Sequence, residues 1–206
     1  MTVSATETAG KDAQSRKAQV AAALIRLHNG VFGALDRAVS SWAIPTMARF
    51  AFAAVLLMYF WASAKTKLGD GIFGLFSPST GAYAQIFPKK AEAVLYDASQ
   101  FSFLEKLVIL AGTWAEFLLP LLIVLGLFTR LAALGMIGFV TVQSLTDIYG
   151  HNADATTIGS WFDRASDSLI MDQRSFWIFV LIVLVLRGAG PISIDRLIGI
   201  DRPLTK

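Results

Sequence analysis

The chain contains no cysteine among its 206 residues. Disulfides, thiolate catalysis, cysteine-bound iron–sulfur clusters and cysteine-based metal sites are therefore excluded as chemistry of this chain itself. Only two histidines are present, His28 and His151, and neither lies inside an apolar run, so a haem held by two histidines is not expected either. Charged residues make up only 16% of the chain, and a formal net charge of +3 is too small and too scattered to indicate a nucleic-acid partner.

Apolar residues, in contrast, make up 55% of the chain, which excludes an ordinary soluble domain and disorder. Four apolar runs are each long enough for a helix to cross the ~30 Å hydrocarbon core of a bilayer, although the fourth is short. The predicted spans are about 44–64, 105–128, 131–149 and 173–188. We therefore predict an all-α membrane protein in which residues 44–197 form one four-helix bundle embedded in lipid.

Two flanking segments differ from this apolar domain. Residues 1–16 are small and polar and are predicted to be a disordered tail. Residues 17–43 repeat apolar side chains every three or four positions, from Val20 to Val39, which is typical of an amphipathic helix. We expect this helix to lie flat in the membrane interface with Trp42 at headgroup depth, and binding to a partner protein is the alternative. Residues 198–206 are predicted to be a tail.

The distribution of basic residues predicts the orientation. More lysines and arginines flank the spans on the side of the two termini than on the side of the long loops. By the positive-inside rule, both termini are expected to be cytoplasmic in a multi-pass protein of a bacterial inner membrane.

Within the second predicted span, Glu116 is the only ionisable residue of the apolar run 107–128 and lies close to its middle. Pro120 follows four residues later and has no N–H to donate to the backbone carbonyl of Glu116, and Thr113 lies one turn earlier. Two interpretations stay open: a neutral glutamic acid that packs the helices together, or a carboxyl that handles protons or a ligand. Arg49, inside the first span, is expected either to snorkel to the headgroups or to pair with Glu116. Arg49 and Thr113 are the candidate ligand-binding residues beside Glu116.

A second set of polar residues leaves the third span at helical spacing. Gln143, Asp147 and His151 fall four residues apart, so one stripe carries all three if the helix continues through Gly150. The stripe is either a solvated helix end or a ligand site in which Asp147 orients the imidazole. Two such residues could also ligate a metal, but two ligands do not make a site, and no metal is predicted. We expect loop aromatics such as Phe73 or Tyr83 to cover the stripe.

Several of these positions form a recognisable pattern. Arg49 lies early in span one, and Lys65 closes this span. Glu116 precedes a Gly-Leu-Phe-Thr-Arg turn, His151 follows span three, and a Gly-Ala-Gly-Pro-Ile-Ser-Ile-Asp segment follows span four. The positions that carry the pattern are Arg49, Lys65, Glu116, Gly126, Arg130, His151, Gly188, Gly190 and Asp195. The pattern covers about residues 43–197 and resembles the DoxX-like bacterial membrane proteins.

The resemblance implies a four-helix membrane domain, and for some relatives an action on quinone, as in thiosulfate:quinone oxidoreductase. Other relatives assist redox-defence complexes or, in animals, receptor assembly. We therefore expect a quinone-interacting membrane subunit of a sulfur, thiol or oxidative-stress system, with Glu116 as the proton-handling residue. A partner subunit or homo-oligomer is implied, because this chain lacks a complete catalytic apparatus. The alternatives are a non-catalytic scaffold or assembly factor and, less favoured, a permeation unit for small solutes.

Overall fold

The computed structural model describes the backbone of residues 3–200, with the side chains of residue 14 and of residues 16–200. Within this range the secondary structure is helical and contains no β-strand. One isolated β-bridge joins Leu68 and Pro78. The chain divides into two compact units, Met1–Ser41 and Trp42–Lys206.

The first unit is one long helix, Val3–Val39. It begins earlier than predicted, so residues 3–16 are helical where the sequence indicated a disordered tail. The apolar positions Val20, Leu24, Leu27 and Val31 repeat along it and are all exposed. A helix thus covers residues 17–39 of the predicted segment 17–43, while its amphipathic role in the membrane interface stays a prediction.

The second unit contains the four predicted membrane spans, which are confirmed: Ala43–Thr66, Phe103–Leu125, Thr129–Gly150 and Leu169–Arg187. Three of the spans contain one π-helical turn each, at Ala53–Leu57, Thr146–Gly150 and Leu169–Gln173. The α-helical segments are Ala43–Phe52, Met58–Thr66, Phe103–Leu125, Thr129–Leu145 and Arg174–Arg187. A π-helical turn inserts one residue into the helical repeat and often marks a functional position.

Specific residues set the ends of the spans. Span two begins at a capping box in which the Ser102 side chain accepts from the backbone N–H of Glu105 and the Glu105 side chain accepts from that of Ser102. It ends at Gly126, whose φ of 69° is left-handed. This glycine ends the helix three residues before the predicted boundary at 128, and span three starts at Thr129.

The spans pack around a core of aromatic and aliphatic side chains. Phe60 is wholly buried and makes edge-to-face contacts with Tyr59, Phe139 and Trp177 from spans one, three and four. The other buried members are Phe52, Leu56, Ile123, Ala132, Ala133, Met136, Val140, Leu181 and Leu184. All four spans therefore contribute to one core.

The long connection between spans one and two is folded. It contains 3-10 turns at Ile72–Leu75 and Ala98–Gln100 and short helices at Thr80–Ile86 and Pro88–Ala93. These elements form a second small core on the top of span two, made of Ala82, Tyr83, Ala91, Phe101 and Ile109. Lys90 ties them to span two through an ion pair of 2.6 Å with Glu105. The connection is therefore an ordered cover, as its aromatic content predicts.

The connection after span three is more open. Asp154 caps the short helix Ala155–Ile158 by accepting from the backbone N–H of Thr157, and this hydrogen bond lowers the pKa of the Asp154 carboxyl. After span four, a second short helix covers Ile194–Leu197. The predicted tail 198–206 falls mostly outside the described residues.

Candidate functional site

A cavity of about 450 Å³ lies beside span two, near the loop-bearing end of the bundle. Its walls come from the end of span one, from span two and from span three, and Gln85 and Ile86 of the long connection lie over it. Most of the wall is apolar or small, with Val108, Ala111, Gly112, Ala115 and Leu119 from span two and Gly135, Gly138, Phe139 and Val142 from span three. A volume of this size falls in the range of small-molecule pockets.

An ion pair between Lys67 and Glu116 forms the charged part of the wall. The Lys67 ammonium nitrogen lies 2.8 Å and 3.0 Å from the two carboxylate oxygens. The Ser63 hydroxyl accepts from Lys67 at 2.8 Å and contacts a Glu116 oxygen at 3.3 Å. The side chains are only 6% and 3% exposed, so the pair is withdrawn from solvent yet borders the cavity.

Lys67 reaches Glu116 because span two extends beyond the end of span one. Glu116 is central in its own helix, Phe103–Leu125, but it lies level with Ser63, close to the end of span one at Thr66. The upper part of span two packs instead against the folded connection. Lys67 is not among the predicted site residues, since a lysine just past the end of span one carries no local sign of a partner in span two.

The predicted pairing of Arg49 with Glu116 is therefore wrong. Arg49 donates to the backbone carbonyls of Val124, Ala189 and Ile192, at the opposite end of the bundle from Lys67. The cationic partner of Glu116 is Lys67, which follows span one, and not Arg49, which lies inside this span.

Thr113, which was also predicted to bind a ligand, lies outside the cavity wall. Its hydroxyl donates to the Ile109 carbonyl at 2.8 Å, and its side chain is buried. Span two continues through Pro120 as one helix, and Pro120 is buried against the bundle.

The stripe predicted on span three does reach the cavity. Gln143, Asp147 and His151 all line it, together with Glu116. The helix continues through Gly150 as a π-helical turn, which keeps the stripe on one side. The sequence therefore predicted the three residues that the structure brings beside Glu116.

The contacts of this stripe differ from the prediction. Asp147 accepts from Arg174 at 2.6 Å instead of orienting His151, and His151 Nε2 lies 3.1 Å from the backbone carbonyl oxygen of Gln85. The predicted aromatic cover is also wrong. Tyr83 is buried in the second core and Phe73 is exposed, whereas Ile86 lies over the cavity.

Gln143 has hydrogen-bonding capacity to spare. Its Nε2 lies 3.4 Å from the Tyr59 hydroxyl, and its Oε1 is buried without a hydrogen-bond partner among residues 3–200. A buried amide group left unsatisfied in this way costs about 1–3 kcal/mol. Gln143 also lines the cavity, so this amide lies beside any ligand held there.

Arg174 is a buried cation that sequence reasoning did not single out. It is 2% exposed, bonds Ser144 at 3.0 Å and Asp147 at 2.6 Å, and joins span four to span three beside the cavity. The π-helical turn Thr146–Gly150 contains Asp147, and the π-helical turn Leu169–Gln173 directly precedes Arg174. The sequence signal that could have identified Arg174 is a basic residue at the start of the fourth apolar run.

The remaining residues of the predicted pattern meet at the other end of the bundle. Asp195 accepts from the backbone N–H groups of Phe128 and Thr129, at 2.7 Å and 2.9 Å, and so caps span three. Arg130 donates to the carbonyls of Val185 and Leu186. We name this cluster the basal clasp, and its members are Arg49, Gly126, Arg130, Gly188, Gly190 and Asp195.

The basal clasp joins the ends of the spans by hydrogen bonds between side chains and backbone groups. Gly188 and Gly190 have φ values of 77° and 79°, which let the chain turn back after span four so that Asp195 can reach span three. Lys65, the other residue of the pattern, is exposed near the end of span one. These positions therefore shape the bundle, whereas Glu116, Gln143, Asp147 and His151 face the cavity.

Together, the four apolar spans define an integral membrane protein, and the cavity beside its buried Lys67–Glu116 pair is the candidate site. Comparison of this chain with protein families, with curated proteins and with solved structures finds no match.

Proposed function

We propose that this chain is a DoxX-like protein of a bacterial inner membrane, with cytoplasmic termini, that binds a quinone or quinol in the cavity beside Glu116. In this proposal it serves as the quinone-interacting subunit of a redox system for sulfur compounds, thiols or oxidative stress. The observation that carries the proposal is an apolar cavity of about 450 Å³ bordered by a buried carboxylate, a buried ammonium and an unsatisfied amide.

The chemistry of these groups suits a quinone ring. An amide can donate to or accept from a ring oxygen, so Gln143 would bind either redox form. Glu116 and Lys67 together hold an exchangeable proton at the cavity wall, and general acids and bases must lie within hydrogen-bond reach of the group they serve. The electrons must come from elsewhere, since the chain has neither cysteine nor a pair of histidines in its spans. A partner subunit would supply them.

A second candidate function is a non-catalytic scaffold or assembly factor for a partner complex. The observation in its favour is that Lys67, Ser63 and Glu116 satisfy one another fully. A buried ion pair of this kind can serve only to fix how two helices pack. The cavity would then be a packing defect.

Purification in a mild detergent separates the two candidates. Quinone that co-purifies in about one copy per chain, and that is displaced by added decylubiquinone, supports the quinone subunit. A stoichiometric protein partner without quinone supports the scaffold. Leu134→Ala is a matched control for variants of the cavity, because Leu134 is exposed on span three and lies outside the cavity wall.

A further inference from the structure

The cavity is open on the outside of the bundle, within the membrane spans. Five of its wall residues on the two spans are exposed there: Val108 and Ala111 on span two, and Gly135, Gly138 and Val142 on span three. Val108 is 52% and Val142 62% exposed, so these side chains face the surroundings as well as the cavity. Both helices are long and apolar enough to cross a membrane, so we expect these positions to face lipid.

Small residues keep this opening clear. A Cβ atom placed on Gly138 would meet no atom of residues 3–200 within 4 Å, so the space beside it is empty. Gly135 lies one turn earlier, and a Cβ atom there would contact Leu119 at 3.2 Å. The gap between spans two and three therefore widens towards Gly138, and we name it the lateral mouth, defined by Val108, Ala111, Gly138 and Val142.

The polar groups lie inside, away from this mouth. Lys67 and Glu116 are almost wholly buried, and Gln143, whose buried Oε1 has no hydrogen-bond partner among residues 3–200, lines the same cavity. The site is thus polar on its inner side and apolar where it meets lipid. A water-soluble solute gains nothing from such an arrangement, whereas a molecule with a polar head and a hydrocarbon tail matches both parts.

We infer that the site takes a ligand that is itself dissolved in the membrane, a tailed single-ring molecule that enters sideways between spans two and three. Its polar ring lies against Gln143 and the Lys67–Glu116 pair, and its tail leaves over Gly138 into the bilayer. This inference rests on the proposed function for the ring, but the direction of entry and the need for a tail are independent of any redox role.

The first test needs no ligand and uses the absence of native cysteine. A nitroxide spin label on Gly138→Cys reports collisions with oxygen, which concentrates in lipid, and with a water-soluble nickel chelate. The lateral mouth predicts strong collision with oxygen and little with nickel, as for a label on Leu134→Cys. A label on Asp163→Cys in the exposed loop is the aqueous control. Strong nickel collision at 138, or protection from both reagents, would overturn sideways entry.

The second test asks for the tail. Binding of decylubiquinone is compared with that of the same ring without its tail, in the wild type, in Gly138→Phe and in Leu134→Phe. A phenyl ring at position 138 would occupy the path of the tail, so binding of the tailed ring should weaken by roughly tenfold, which corresponds to about 1.4 kcal/mol. We expect this loss for the tailed ring in Gly138→Phe alone, with the tail-less ring weaker in the wild type and little changed by either variant.

The outcomes are separable. Unchanged affinity of Gly138→Phe for the tailed ring would overturn the assigned path of the tail. If neither ring binds the folded wild-type protein, both the proposed quinone binding and the assignment of a tailed ring as the ligand are wrong. The spin label then still decides whether the lateral mouth opens to lipid. Unfolding temperatures of the variants show whether a change arises from misfolding, which is not expected at a position with no neighbour within 4 Å among residues 3–200.

Discussion

Lys67 and Glu116, 49 positions apart in sequence, form an ion pair of 2.8 Å that joins the end of span one to the middle of span two. The pair forms because the two helices are displaced along their axes, so that a residue past the end of one is level with the centre of the other. It places both signs of charge on the wall of an otherwise apolar cavity. The packing of the bundle and the chemistry of the site thus depend on the same contact.

The first prediction is that Lys67 and Glu116 are energetically coupled. Breaking a buried pair leaves one charge without its partner and costs about 3–5 kcal/mol, whereas removing both charges costs less than the two single losses together. Lys67→Met, Glu116→Gln and the double variant should show this in denaturant unfolding in mild detergent. Glu116→Gln should be the milder single change, because Ser63 still accepts from Lys67.

Arg49 supplies the control for this cycle. Its guanidinium donates to the backbone carbonyls of Val124 and Ala189 and not to Glu116. The losses of stability in Arg49→Ala and Glu116→Gln should therefore add within about 0.5 kcal/mol, as for distant sites. Additivity between Lys67 and Glu116, with coupling between Arg49 and Glu116, would contradict the structure.

The second prediction concerns the geometry of Arg174. Its planar guanidinium bonds Ser144 through one nitrogen and Asp147 through another. The single ammonium nitrogen of a lysine does not reproduce this geometry. Arg174→Lys should lower the unfolding free energy by about 1–3 kcal/mol, the range for hydrogen bonds to charged groups. Arg187→Lys, at the exposed end of the same span, is the matched control and should change little. Equal stabilities of the two variants would contradict the assigned contact.

The third prediction is that Asp195 stabilises the start of span three. Asp195→Ala removes the acceptor for the backbone N–H groups of Phe128 and Thr129 and should cost about 1–2 kcal/mol, as for other helix caps. Amide hydrogen exchange should rise at Thr129 and its neighbours first. Asp70→Ala, on an exposed turn, serves as the control. Unchanged exchange at 128–130 would show that the cap does not hold this helix end.

The fourth prediction compares two glycines. Gly126 has a φ of 69°, and a Cβ atom there would lie 2.5 Å from Ser193 Cβ, so Gly126→Ala should destabilise the protein by more than about 1 kcal/mol. Gly138 is helical with open space beside it, and Gly138→Ala should be neutral or stabilising by up to ~1 kcal/mol. Thermal unfolding of both variants tests this. The same loss in each would mean that close packing at Gly126 is not the cause.

The spans were predictable because their signal is local: an uninterrupted apolar run of sufficient length. The stripe of Gln143, Asp147 and His151 was predictable for a similar reason, since helical spacing alone puts these residues on one side. Their position beside Glu116 also follows once spans two and three are recognised as a hairpin. These features depend on neighbours in sequence.

The partner of Glu116 was not predictable in this way. Choosing Lys67 over Arg49 requires the axial displacement of spans one and two, and that displacement depends on the folded connection that packs on the top of span two. The contact of Asp147 with Arg174 depends on the rotations of spans three and four, each of which contains a π-helical turn beside this contact. The cavity itself is a volume left between helices, and no single stretch of sequence encodes it.

The most direct test of the central claim is equilibrium binding of decylubiquinone to the purified, folded protein, measured beside Gln143→Leu and the control Leu134→Ala. The account predicts one binding site per chain. It also predicts a weakening of roughly fivefold in Gln143→Leu, which is the loss of about 1 kcal/mol for one hydrogen bond, and wild-type affinity in Leu134→Ala. Absence of saturable binding to the wild type, or identical affinity in all three proteins, would contradict it.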